Sequence, residues 1–227
     1  MRKLTYKFKR NIYRKVKKWY ICHINSIKND GFCLLTNGAK RCYNSNRKVD
    51  RGAYKMTENE IKDSAMNILK ETDLDIAPIK IVSIANFYGF LIYEMPMENS
   101  FSGLIMADDK NIQGFDSNRI IVVNSNHSPK RKRFTIAHEL GHYFNQGRPS
   151  KCFAHRDSGN YSSDERDANS FASAILMPED EVIREVNNYK KSRAGEFPDF
   201  QLVHYISDAF DVSQLAAEVR LKKLGVI

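Results

Sequence analysis

The chain lacks any apolar run of the roughly 20 residues that a membrane-spanning helix needs. Its N-terminus also lacks the apolar core of a signal peptide. Cysteine is sparse: Cys22, Cys33, Cys42 and Cys152 form no C-x-x-C pair. A disulfide framework is therefore not indicated, and a reduced, cytoplasmic protein is the expectation. The irregular spacing of Cys22, His23, Cys33 and Cys42 also speaks against a metal knuckle. No internal repeat or low-complexity tract is visible.

Basic charge is abundant but confined. The net charge is +9 over 227 residues. Residues 1–55 hold 16 Lys/Arg against Asp30 and Asp50, a net of +14, so residues 56–227 carry −5. The whole-chain basicity thus says nothing about what the larger part acts on. With 42% hydrophobic residues, that part can bury a sizeable core.

Within the basic part, Phe8, Ile12, Val16, Tyr20, Ile24 and Ile27 recur at helical spacing. Such a basic amphipathic helix would suit a membrane surface or nucleic acid. Residues 28–55 read as Asn/Gly/Lys-rich and without pattern. Thr57-x-x-Glu60 forms a capping box directly after Met56, so an ordered domain can begin there. Three readings of 1–55 stay open: a disordered or basic binding arm, a folded second domain, or a non-native extension of the reading frame. Arg51-Gly52-Ala53 is compatible with a purine-rich ribosome-binding sequence ahead of the Met56 codon. A chain starting at Met56 is expected to keep the melting temperature and activity of the whole. A large loss of stability on that truncation would place 1–55 in the core.

Residues 134–142 read Phe-Thr-Ile-Ala-His-Glu-Leu-Gly-His. With six His and twelve Glu in the chain, an accidental H-E-x-x-H would arise in on the order of one in 100 such chains. Ser128 can cap a helix here and Pro129 fits its first position. Positions i and i+4 share a helix face, so His138 and His142 can grip one Zn²⁺, with Glu139 beside it as general base.

A catalytic zinc takes three protein ligands and keeps a position open. The metzincin continuation is closed, because Asn145 and Arg148 stand where it needs Gly and His. The next acidic helix, Ser163 to Ala172, offers Asp164, Glu165 and Asp167. Glu165 is favoured, since it pairs with Asn169 at i, i+4: one would bind metal while the other holds a neighbouring ligand. These acids would otherwise serve the helix dipole, and Ser162-x-x-Glu165 fits a capping box.

Together, Phe134–His142 (FTIAHELGH) and Glu165–Pro178 (ERDANSFASAILMP) resemble the ImmA/IrrE family of zinc metallopeptidases, over about residues 76–227. Asp167 departs from the second Glu expected in that pattern. The resemblance implies an α+β, zincin-like domain with a small antiparallel sheet, the H-E-x-x-H helix and a C-terminal helical bundle. It also implies one Zn²⁺ per chain on His138, His142 and Glu165, with Glu139 as base. The activity implied is endopeptidase cleavage of a helix-turn-helix transcriptional repressor of mobile-element or stress genes.

The remaining pattern is regular. Helices are expected at 58–70, 78–88, from Pro178, near 200–210 and near 213–224. Strands are expected at Phe90–Tyr93, Gly103–Ala107 and Ile120–Asn124, with a polar loop at 145–162. Ile120–Asn124, as a sheet edge, could take substrate as an added strand. An oxyanion needs a further donor, and His155, Tyr161 and Tyr143 are the candidates. The 200–224 pair resembles a helix-turn-helix. It would either close the core or contact DNA or a repressor, which leaves a non-proteolytic, metal-containing regulator as the alternative function. Asp208, Asp211 and Glu218 there sit poorly against phosphate.

Overall fold

The computed structural model describes residues 32–36, 39–43, 56–108, 112, 117–145, 153–156, 163–192 and 198–227. The chain divides into two units between Lys55 and Met56. In the first, β1 (Phe32–Thr36) pairs antiparallel with β2 (Ala39–Tyr43), Thr36 opposite Ala39. A hairpin thus occupies a stretch that reads as patternless. Asn37-Gly38 between the strands is a strong two-residue hairpin signal. The amphipathic stretch 8–27 lies outside the described residues.

The second unit opens with α1 (Glu58–Thr72). Its capping box is formed: the Glu60 N–H donates to Thr57 Oγ1, and the Thr57 N–H donates to Glu60. Next comes α2 (Ile81–Phe87), shorter than its expected span. Lys80 is the first flanking residue, so the helix starts three residues after Pro78. Ile79, in the gap, is fully buried and anchors the segment by packing.

The sheet contains β3 (Leu91–Met95), β4 (Phe101–Ala107), β5 (Arg119–Asn124) and β6 (Phe153–Arg156), in the order β3-β5-β4-β6. It is mixed rather than antiparallel: β3 runs parallel to β5, while β4 is antiparallel to β5 and β6. Two expectations are corrected here. The β5 strand is interior and offers no edge to a substrate. Its unbroken run Ile120–Val123 is completely buried, as suits a strand shielded on both faces, whereas a half-exposed strand alternates. And β6 lies within the presumed polar loop, paired to β4 with a register shift between Phe101 and Leu104.

At the end of β5, Asn124 is fully buried and fixes the chain leading into β4. Its Nδ2 donates to the carbonyls of Glu98 and Phe101, and its Oδ1 accepts from the Met97 N–H. A buried amide must be satisfied in this way, and the result sets where β4 begins.

Against the sheet lies α3 (Pro129–Asn145), and α4 (Ser163–Leu176) packs on α3. The unit ends with α5 (Glu179–Lys191), α6 (Asp199–Ala209) and α7 (Gln214–Lys223). One core joins them, including Phe90, Ile121, Ile136, Leu140, Phe171, Ile175, Val182, Ile206 and Leu221. The α6–α7 turn is tied to α3: Arg133 pairs with Asp211 and donates to the Ile79 carbonyl, and Lys130 pairs with Asp208. Asp208 at the end of α6 and Asp211 in the turn are thus each paired with a cation of α3. Among the described residues, no helix is long and apolar enough to cross a membrane.

Candidate metal centre

The start of α3 follows from local chemistry. Pro129 needs no amide partner at the first helical position, and the Arg131 N–H donates to Ser128 Oγ at 3.3 Å. Less than two turns later the helix enters the core, where Thr135 through Tyr143 are all buried. Helical spacing then brings the His138 and His142 rings edge to face, with centroids 4.8 Å apart and their Nε2 atoms 3.1 Å apart.

The third member comes from the first turn of α4. Glu165 Oε2 is 3.3 Å from His138 Nε2, and Oε1 is 3.8 Å from His142 Nε2. These separations can be set against a metal's needs. Four ligands at ~2.05 Å around a tetrahedral Zn²⁺ lie about 3.3 Å from one another. The His138–His142 and His138–Glu165 separations are close to that edge, and the approach to His142 is made by the other Glu165 oxygen, about 0.5 Å beyond it. Among the described residues, His138, His142 and Glu165 form the His/Cys/Asp/Glu group able to hold a metal ion.

A carboxylate stands beside this triangle with nothing to hold it. Glu139 is 0% exposed, and neither of its carboxylate oxygens has a hydrogen-bond partner. Burial, and then the nearby Glu165 carboxylate, push its pKa well above the ordinary range. Leaving such a group buried and unpaired is expensive, so packing does not account for it.

The sequence model of the IrrE N-terminal-like domain, Peptidase_M78, matches residues 88–222. The chain belongs to the Peptidase_M78 family. No curated protein matches it. The Peptidase_M78 family is metal-dependent, and its domain supports a peptidase. The matched span contains β3 to β6, the helices that carry His138, His142 and Glu165, and Glu139.

In this Peptidase_M78 chain, Asn169 sits one helical turn after Glu165 and reaches His138. Its Oδ1 is 2.9 Å from Nδ1. With Oδ1 accepting, Nδ1 carries the ring proton and Nε2 keeps its lone pair facing the triangle. Asn169→Ala should weaken Zn²⁺ binding by about 10–100-fold, read by competition with a chromophoric chelator. Unchanged affinity would show that Asn169 merely packs.

Two glycines that sequence reasoning passed over set the spacing of the site. A Cβ on Gly141 would lie 3.0 Å from both Cα and O of Ala168. Those are backbone atoms of α4 and cannot swing away. The signal was a glycine in mid-helix, where Ala would be favoured by about 1 kcal/mol. Gly141→Ala should cost roughly 1–3 kcal/mol and move Glu165 away from the histidines. Thermal unfolding and zinc titration would show both losses, and wild-type values for both would refute the close-approach argument. Gly103 on β4 plays the matching part: a Cβ there would lie 2.5 Å from Thr135 Cγ2, 2.8 Å from the Val122 carbonyl and 3.4 Å from Glu139 Oε1.

The other candidates fall as follows. Asp164 is an exposed first-turn acid, and the backbone carbonyl of Asp167 accepts from Asn145 Nδ2 at 3.2 Å. Tyr143 is buried with its ring against Phe90 and beneath the Arg119 guanidinium. The backbone of His155 lies on β6, its side chain outside the described residues, as is the whole of Tyr161 and of Ser162.

Proposed function

We propose that the chain is a cytoplasmic, zinc-dependent endopeptidase that cleaves a helix-turn-helix transcriptional repressor and so releases mobile-element or stress genes. The observation that carries the hydrolytic reading is Glu139, buried and without a hydrogen-bond partner beside the His-His-Glu triangle. His138 and His142, through Nε2, and Glu165, through its carboxylate, would hold the ion. The two-His, one-carboxylate donor set suits zinc. Bound there, Zn²⁺ supplies a Lewis acid that acidifies water and polarises a peptide carbonyl. Glu139 takes the proton of the attacking water at a carboxylate oxygen and passes it to the leaving amine. Asn169 keeps the His138 ring in register.

The second reading, a regulator that binds without cutting, draws on the C-terminal pair. Leu215 and Val219 are exposed one turn apart on α7, and Phe200 is exposed on α6. An apolar face of this kind suits a protein partner better than phosphate. A purely structural metal site, however, has no need of an orphaned carboxylate.

The test is co-expression with a helix-turn-helix repressor encoded beside this chain's gene. Native protein should produce discrete repressor fragments, and the Glu139→Gln variant should leave the repressor whole. Relief of repression without fragments would favour the binding regulator.

A further inference from the structure

We propose that the cavity between α1, α4, α5 and α7 binds a small carboxylate anion, anchored on Arg220. The cavity measures about 370 Å³ and is lined by Glu58, Lys62, Ser170, Glu179, Arg220 and Lys223, among others. It shares no residue with the metal triangle.

Arg220 is the group that asks for a ligand. It is only 5% exposed, and its Nε donates to the Met177 carbonyl at 3.0 Å. Its Nη2 is buried and has no hydrogen-bond partner. An arginine sequestered from water normally spends its fork on a carboxylate or phosphate. Burial lowers its pKa even with Glu179 and Glu58 nearby, so those acids do not make up for the lost hydration.

The surrounding charges define the ligand. Lys62 pairs with Glu179, and Lys223 pairs with Glu58. Each of these lysines is neutralised by its own carboxylate. Arg220 is left as the one charge in excess, so a monoanion balances the cavity and a dianion overshoots. Ser170 Oγ, which accepts from Lys223 Nζ at 3.5 Å, adds a hydroxyl to the lining. The volume is at the small end of the range for ligand pockets, which suits a short organic acid rather than a peptide.

The experiment is titration of the full chain with sodium acetate, followed by the amide resonances of Ser170, Ala174 and Lys223, with sodium chloride at matched ionic strength as control. Saturable shifts with acetate and none with chloride are expected. Arg220→Gln should weaken acetate binding at least about ten-fold. Should that variant fail to fold for want of the Met177 contact, Ser170→Leu fills the cavity from the helix surface and should abolish saturation in a folded chain. Inorganic phosphate, tested where it is mostly dianionic, should bind more weakly than acetate. A linear response common to acetate and chloride, undiminished binding by Ser170→Leu, or phosphate binding as tightly as acetate would each overturn the proposal.

Discussion

Glu139→Gln should bind one equivalent of Zn²⁺, melt no lower than the native chain, and cleave about 10²–10⁴-fold more slowly. Gln keeps the shape of Glu but cannot accept the water's proton. The metal donors lie on other residues, so metal content is unaffected. Stability holds because the native carboxylate is itself a burden: fully buried, unpartnered and pushed up by burial and Glu165. A neutral amide relieves that burden, although its own buried N–H₂ costs about 1–3 kcal/mol if unsatisfied. Metal analysis, calorimetry and a repressor-cleavage assay measure the three quantities. Undiminished cleavage would remove Glu139 from the mechanism, and a large drop in melting temperature would make it a structural residue.

Glu165→Ala should abolish stoichiometric zinc, lowering affinity by more than the roughly 100-fold that loss of a supporting partner brings. Two imidazoles alone leave the ion short of the three protein ligands a catalytic site uses. Asp167→Ala should keep its zinc, since Asp167 is not in the convergent group. The comparison matters because Asp167 stands where the family pattern leads one to expect a second Glu. Equilibrium dialysis of both variants decides the point. Zinc retained by Glu165→Ala and lost from Asp167→Ala would reverse the assignment.

The parts of the site legible in the sequence were those encoded by local spacing. His138 and His142 share a face because a helix repeats every 3.6 residues, and Ser128-Pro129 announces where that helix begins. Glu165 and Asn169 repeat the same logic on α4. What stayed hidden depends on tertiary contact. Mid-helix Gly141 signals a close approach but not that α4 makes it, and nothing around Gly103 in the sequence shows that α3 packs there. Asn124 reads as the polar end of a strand, yet it is the buried hub that sets the start of β4. Other features were legible and missed. The unbroken Ile120–Val123 run marks an interior strand, and Asn37-Gly38 marks a hairpin. The β6 strand, four residues set in a polar stretch, is specified by pairing with β4 rather than by its own pattern.

The most direct measurement is an anomalous difference map, collected at the zinc edge, from crystals of the full chain grown with Zn²⁺. The account predicts one strong peak per chain in the triangle, ~2.0–2.2 Å from His138 Nε2, His142 Nε2 and a Glu165 oxygen, with a Glu139 carboxylate oxygen facing the remaining position. A peak ligated by Asp167 in place of Glu165, or zinc bound only at other residues, would contradict it.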